Sequence, residues 1–175
     1  MRTSWLFTPH IQYGIFQKKT EVNSASLLEW IVECRYNSLN ACVKRAEMLS
    51  VTIVIENIQD RDPFLCNMIA DRFQSDAVAL SVDAGHAHFT HNSFGGSSVE
   101  DFIVKAGSKI KHVHLHDNDG LADHHLPIGD GSICWSGVFF ALKRLPEVPR
   151  LILELNNKRG IDRSISYLKK IKLAQ

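Results

Sequence analysis

Short runs of apolar residues recur along the chain and predict five β-strands. They lie at Trp5–Thr8, Thr52–Ile55, Val78–Val82, His112–Leu115 and Leu151–Leu153. The runs are rich in Val, Ile and Leu and do not alternate cleanly between apolar and polar positions. That pattern is typical of parallel strands covered on both faces, because neither face then has to meet water.

Segments with apolar residues at helical spacing separate these runs. The pair Ser98 and Asp101 resembles a capping box and predicts a helix over Phe102–Ala106. Further helices are expected over Ser24–Cys34, over Leu39–Leu49, after Asp62-Pro63, after Trp135 and after Asp162. Strands that alternate with helices indicate an α/β fold with a parallel sheet. The polar stretches Thr90–Ser98 and Asp117–Cys134 are expected to be long loops.

A side chain that can bind a metal stands at or near the carboxyl end of four predicted strands: Glu56, Asp83, His114 and Glu154. In parallel α/β folds these ends point the same way, and ligands bind there. The four side chains can meet only if the sheet curls, as it does in a barrel. Carboxylate and imidazole ligands suit Mn²⁺, Mg²⁺ or Co²⁺, and Zn²⁺ through the histidines. The alternative is that each carboxylate caps the following helix or pairs with an arginine.

Histidine is concentrated in one part of the chain. Eight of the nine histidines lie between residues 86 and 125, which favours a site in this region. Asp123 and His125 are two residues apart, so on an extended loop both can face one site. Gly129 and Gly131 allow a tight turn after them. The alternative for this segment is a solvated loop with a glycine turn.

Length and composition narrow the class of protein. The chain has 175 residues, a formal net charge of +1 and 45% hydrophobic residues, which suits one domain over residues 1–175. It lacks a long apolar run and a signal-peptide pattern, so we expect neither a membrane protein nor a secreted one. The near-zero charge argues against a dedicated nucleic-acid-binding protein. The cysteines have no disulfide or zinc-ribbon spacing and are expected to be buried thiols in the reducing cytoplasm: Cys34, Cys42, Cys66 and Cys134.

Five segments, taken in order, carry a family resemblance. They are IVIEN at 53–57, SVDAGH at 81–86, HVHLHDN at 112–118, HLPIGDGSICW at 125–135 and LILE at 151–154. Together, over about residues 39–172, they resemble the xylose isomerase-like TIM-barrel superfamily. That superfamily includes sugar-phosphate isomerases and epimerases and the endonuclease IV enzymes (AP endonuclease family 2). The resemblance therefore implies a (β/α) TIM-barrel-like fold.

The resemblance also implies roles for particular residues. In the isomerase and epimerase branch, one divalent metal is bound at the positions of Glu56, Asp83, His114 and Glu154, and the two glutamates move the proton next to the substrate carbonyl. Substrate contacts are expected from His86, His116, Asp123 and His125. In the endonuclease branch the same positions, with Asp123 and His125, hold a zinc cluster that attacks a phosphodiester. Candidate further metal ligands are His10, His86, Asp123 and His125.

The chain is short for a complete barrel. Such a barrel has eight βα units and about 250 residues, whereas this sequence contains five predicted units, so the amino-terminal units are expected to be missing. An incomplete arc leaves two unpaired edges, which favours association. Three explanations stay open: a fragment, two chains that complete each other as a homodimer, or a flat and self-sufficient sheet. We favour the incomplete barrel, with a homodimer as one way to complete it.

The resemblance leaves three functional hypotheses. The favoured one is a divalent-metal-dependent isomerase or epimerase that acts on a small sugar or sugar phosphate by proton transfer next to a carbonyl. The alternative is a zinc-dependent AP endonuclease, whose partner would be nucleic acid. The dispersed basic residues argue against that alternative. The third hypothesis is a non-catalytic remnant that keeps a metal site or only the scaffold.

Overall fold

Four parallel strands form one sheet in the order β1-β2-β3-β4. The computed structural model describes residues 24–173. The strands are β1 (Ile53–Glu56), β2 (Val78–Asp83), β3 (Ile110–Leu115) and β4 (Arg150–Leu153). Four of the five predicted strands are confirmed. The first predicted strand, Trp5–Thr8, lies outside the described residues, as does His10.

Helices precede, separate and follow the strands of the described chain. They are α1 (Ser24–Leu49), α2 (Phe64–Phe73), α3 (Ala84–Phe94), α4 (Val99–Ala106), α5 (Trp135–Lys143) and α6 (Gly160–Lys170). A short 3₁₀ turn, Gly107–Lys109, leads into β3. Parallel neighbours need such crossovers, because a tight turn can join only antiparallel strands. The predicted α/β, TIM-barrel-like architecture is confirmed.

The two faces of the sheet differ in polarity. On one face, Leu80 and Val82 of β2 and Val113 and Leu115 of β3 are buried. They belong to the same core cluster as apolar residues of α4 and α5: Phe102, Ile103, Trp135 and Val138. On the other face, Ser81 pairs in register with His112, and Asp83 with His114. Because side chains alternate along a strand, the apolar face anchors the helices while the opposite face carries the polar groups.

The first helix differs from its sequence-based expectation. Separate helices over Ser24–Cys34 and Leu39–Leu49 were expected, but α1 is one continuous helix of 26 residues. Residues 35–38 contain no proline or glycine, so nothing in the backbone interrupts the helix between the two segments.

The expected loop over Thr90–Ser98 is wrong. Helix α3 runs to Phe94, so only residues 95–98 link it to α4. It begins directly after β2 because the Asp83 side chain accepts a hydrogen bond from the backbone N–H of His86 (2.8 Å), which satisfies a free donor of the first turn. It ends at Gly95, whose φ of 67° suits a residue without a Cβ. The polar composition of α3 concealed it from an analysis based on apolar spacing.

The other expected loop, Asp117–Cys134, is confirmed between β3 and α5, apart from an isolated bridge between Asp117 and Leu126. The buried Asp117 carboxylate organises it, since it accepts hydrogen bonds from the indole N–H of Trp135 (2.7 Å) and from the backbone N–H of Asn118, Gly129 and Ile133. Gly129 adopts a φ of 90°, and a Cβ there would lie 2.4 Å from the Tyr167 ring. One buried carboxylate thus fixes both ends of this 18-residue loop, although the loop has little regular secondary structure.

Two further sequence expectations can be compared with the fold. None of the helices between residues 24 and 173 is long and apolar enough to cross a membrane. All four cysteines are free thiols, as their spacing predicted, but the expectation that they are buried is wrong for three of them. Cys66 is buried, whereas Cys34, Cys42 and Cys134 are exposed.

We expect Asp117→Asn to destabilise the fold by about 2–4 kcal/mol, because an amide NH₂ would face N–H donors that now share a buried carboxylate. Urea unfolding followed by circular dichroism measures the change. Asp119→Asn is the matched control: Asp119 is half-exposed and accepts from the backbone N–H of Leu121, a bond that an asparagine can keep. Equal stability of the two variants would contradict this role for Asp117.

Candidate metal centre

The four strand-end residues predicted as metal ligands lie together at the carboxyl edge of the sheet. Glu56 ends β1, Asp83 ends β2, His114 lies near the end of β3, and Glu154 follows β4. The Nδ1 atom of His114 lies 3.2 Å from Glu56 Oε2, 3.6 Å from Asp83 Oδ2 and 2.8 Å from Glu154 Oε2. Contact between residues of β1 and β3, which are separated by β2, fits a sheet that curls towards this point.

Within residues 24–173, two atoms of the predicted ligands are buried without a hydrogen bond: Asp83 Oδ2 and His114 Nδ1. A buried polar atom without a partner is costly, so its presence in a cluster of acceptors needs an explanation. Three carboxylates around one imidazole nitrogen provide hard oxygen and nitrogen donors that fit a divalent cation. These residues therefore suit a metal ion.

Neighbouring groups hold the ligands in place. The Asn57 side chain donates to the backbone oxygen of Asp83 (3.1 Å) and accepts from the backbone N–H of Asp83 (2.9 Å). The Ser81 hydroxyl donates to Glu56 Oε2 (3.1 Å) and lies 2.9 Å from His112 Nδ1. Asn57, Ser81 and His112 were not identified as site residues from the sequence. Ser81 and His112 each precede a predicted ligand by two residues on the same strand, and this spacing is the signal that could have found them.

The pKa values of Glu56 and Asp83 are shifted in opposite directions: that of Glu56 is raised and that of Asp83 is lowered. Burial raises the pKa of Glu56, and the Asp83 carboxylate adds to this effect while His114 opposes it. Burial works in the same direction on Asp83, but the imidazoles of His114 and His116 outweigh it and hold the pKa of Asp83 well below its ordinary value. Asp83 is therefore a permanent carboxylate, whereas Glu56 binds a proton more readily than an exposed glutamate does.

A second cluster of potential ligands adjoins the first. It consists of His86, His116, Asp123 and His125, whose ligand atoms lie within 4.8 Å of one another. Both His86 Nε2 and His125 Nε2 lie 3.2 Å from Asp123 Oδ2. His86 also joins the two clusters, because its Nδ1 lies 3.7 Å from Asp83 Oδ1. The pairing of Asp123 with His125 on one loop is therefore present in the structure.

Some of the concentrated histidines lie away from both clusters. The ring of His88 contacts the Ser132 hydroxyl, that of His91 contacts the backbone oxygen of Gly96, and that of His124 lies 3.4 Å from Asp119. These partners lie in the loop after α3 and in the loop after β3, so the three histidines serve local structure. The sequence concentration of histidine thus combines two groups with different roles.

Protonation of His86 makes the stability of the metal-free protein depend on pH. Burial lowers the pKa of His86, but the hydrogen bond that its ring donates to Asp123 and the charge of Asp83 outweigh this effect and raise the pKa to about 9. The folded state therefore binds this proton more tightly than an unfolded chain, in which the pKa is 6.5. The resulting stabilisation is complete below pH 6.5 and is lost as the pH rises through 9.

We expect the free energy of unfolding of the metal-free protein to fall by about 3 kcal/mol across that interval because of His86. Urea unfolding at several pH values, in the presence of a chelator, measures it. A His86→Gln variant serves as the control and should have a flatter profile. The assignment to His86 would be wrong if the variant had the same slope as the wild type.

Comparisons with known proteins identify the fold family. The family described as the xylose isomerase-like TIM barrel matches residues 23–171, which confirms the resemblance drawn from the sequence motifs. A crystal structure of a D-tagatose 3-epimerase-like protein is similar with a TM-score of 0.70 and 29% identity, over 86% of this chain and 57% of that chain. A structure of L-ribulose 3-epimerase has the same fold, with a TM-score of 0.58 and 19% identity over 90% of this chain and 50% of that one.

A sequence relative covers almost the whole chain. An uncharacterized protein of Methanocaldococcus jannaschii is 29% identical over 168 residues, which are 95% of this chain and 61% of that protein. This chain therefore spans only half to about three fifths of the proteins to which it is similar.

Proposed function

This chain belongs to the xylose isomerase-like TIM-barrel family, and on that premise we propose that it is a divalent-metal-dependent isomerase or epimerase of sugars or sugar phosphates. The reaction would be a proton transfer at the carbon next to a carbonyl. The similarity to a D-tagatose 3-epimerase-like protein at 29% identity supports this reaction class. The strands that an eight-stranded barrel needs beyond those described would come from further polypeptide or from a second copy of this chain.

One observation carries the proposal: carboxylates from three different strand ends converge on the Nδ1 atom of His114, at 2.8–3.6 Å. Asp83 Oδ2 and His114 Nδ1 are buried and form no hydrogen bond within the described part of the chain, which favours a cation between them. Glu56, Asp83, His114 and Glu154 would hold that cation. When bound, it would polarise a substrate carbonyl and so make the neighbouring C–H more acidic.

The two glutamates are suited to move the proton. They come from β1 and β4, the two outer strands of the described sheet, so a substrate over the centre would lie between them. Glu154 is the most exposed of the four ligands, at 46%, which leaves its carboxylate accessible to a substrate. Glu56 has a raised pKa and can carry a proton for delivery to the opposite face. Removal of the proton on one face of the substrate carbon and its return on the other face would invert the configuration of that carbon.

The second cluster would supply the contacts to the substrate. His86, Asp123 and His125 combine hydrogen-bond donors and acceptors beside the proposed metal centre. A sugar presents several hydroxyl groups that both donate and accept, so this mixed set suits a polyol better than an apolar ligand. The family resemblance assigned His116 to the same group.

The second cluster also supports the alternative function, a zinc-dependent AP endonuclease. Two histidines and a carboxylate, here His86, Asp123 and His125, are typical zinc ligands, so a further cation would fit beside the first. Adjacent metal ions can stabilise both oxygens of a phosphodiester displacement. The near-neutral charge of the chain argues against this alternative, because duplex DNA is bound by concentrated basic groups.

We expect Mn²⁺ to stabilise the protein by about 2.7 kcal/mol at a concentration 100 times its Kd, since the folded state alone presents the assembled site. Thermal unfolding with and without Mn²⁺ measures this effect. His114→Ala should abolish it, whereas His124→Ala, which removes a half-exposed histidine outside the clusters, should retain it. If Mn²⁺, Mg²⁺, Co²⁺ and Zn²⁺ all leave the wild type unchanged, the non-catalytic remnant is favoured instead.

We expect Glu154→Gln to abolish turnover of a keto-sugar while only weakening metal binding, because an amide still offers an oxygen ligand but cannot accept the proton. Proton exchange from the substrate into D₂O, followed by NMR, measures the proton transfer. Glu147→Gln is the control, since Glu147 is exposed in the loop before β4. Retained exchange in Glu154→Gln would overturn the assigned role, and cleavage of an abasic-site oligonucleotide with Zn²⁺ but no sugar turnover would favour the endonuclease.

A further inference from the structure

His116 lies directly behind the proposed metal centre. It follows β3 and is completely buried, as is the Asp83 side chain. Its Nε2 lies 2.9 Å from Asp83 Oδ1. An ionised carboxylate can only accept hydrogen bonds, so Nε2 is the donor. A contact between two fully enclosed polar groups is shielded from water and is correspondingly specific.

The two carboxylate oxygens of Asp83 therefore differ in their contacts. Oδ1 accepts from His116 Nε2 and from the backbone N–H of His86 (2.8 Å). Oδ2 accepts from no group within the described chain and lies 3.6 Å from His114 Nδ1. The hydrogen bond from His116 therefore fixes the rotation of the carboxylate so that one oxygen faces the proposed ligand cluster.

The imidazole ring of His116 is itself confined on two sides. A Cβ at Gly85, in the first turn of α3, would lie only 1.9 Å from His116 Cε1, so the ring occupies the space that a side chain at position 85 would need. The His125 ring stacks on the ring of His116 with centroids 3.7 Å apart and planes at 8°. Helix α3 and the loop after β3 thus confine one ring that has no contact with solvent.

We propose that His116 is a positioning residue of the metal centre: by donating from Nε2 to Asp83 Oδ1 it orients Asp83 Oδ2 towards the cation. The inference rests on the proposed metal-dependent function, because it assigns His116 to one ligand of that site. It differs from a substrate contact, since His116 is completely buried and acts through Asp83, while its other ring nitrogen, Nδ1, lies 3.8 Å from Asp123 Oδ1. Groups that orient a ligand in this way typically change metal affinity about 10- to 100-fold when they are removed.

Two amide substitutions separate the hydrogen bond from the effects of burial and polarity. In His116→Gln the amide nitrogen lies near the position of Nε2 and can still donate to Asp83. In His116→Asn the amide is one bond shorter and cannot reach. Isothermal titration with Mn²⁺ should give a Kd within about threefold of the wild type for His116→Gln and a Kd about 10- to 100-fold weaker for His116→Asn.

Gly85→Ala tests the position of the His116 ring sterically, because it adds a methyl group beside the ring and changes no polar group. The added methyl should displace His116 and weaken Mn²⁺ binding, whereas the double variant Gly85→Ala/His116→Gln should recover affinity because the glutamine side chain is more flexible than a ring. This series keeps the test available if His116→Asn does not fold. Circular dichroism of each metal-free variant reports folding independently of metal affinity.

The outcomes distinguish the inference from the function on which it rests. If the wild type binds Mn²⁺ and all folded variants bind it equally well, or if Gln and Asn lose affinity equally, His116 has no positioning role. If the wild type binds no divalent ion, both the proposed metal centre and the role of His116 are overturned. Loss in His116→Asn and Gly85→Ala with rescue by glutamine supports the inference.

Discussion

The structure depends on the enclosure of negative charge at one edge of a parallel sheet. Parallel strands bring their carboxyl ends to the same side, and three of those ends carry a carboxylate beside His114. Carboxylates gathered around one nitrogen repel one another, and the burial of Asp83 and of most of Glu56 removes water that would otherwise screen them. Protons or a cation must therefore offset the charge. The raised pKa of Glu56 is the metal-free response to this constraint.

Asp83 is the residue at which the fold and the site meet. Its side chain caps α3, receives the hydrogen bond of His116 and leaves one oxygen facing His114, while Asn57 holds its backbone. The same carboxylate thus begins a helix, ends a strand and belongs to the proposed ligand set. A change at Asp83 would alter all three features together, which makes it a poor choice for separating stability from metal binding.

The predictable parts of the fold were those with a strong local signal. The apolar strands and the capped α4 were found because their patterns depend on near neighbours in the sequence. Helix α3 was missed because it is polar and starts on a residue that also ends a strand. The proximity of the four predicted ligands could be foreseen because parallel topology converts their order along the chain into proximity, whereas Ser81 and His112 follow only from the alternation of faces within a strand.

The sequence alone determined which chemical groups stand at the strand ends, because each group is tied to an adjacent apolar run. It also indicated the family through those same segments. Only the tertiary structure decided which of the eight clustered histidines face the site, and which, such as His88 and His91, support nearby loops. The surroundings of His116 were likewise decided in three dimensions, and the positioning role proposed for it rests on them. Only the folded chain brings Asp83, Gly85 and His125 together around its ring.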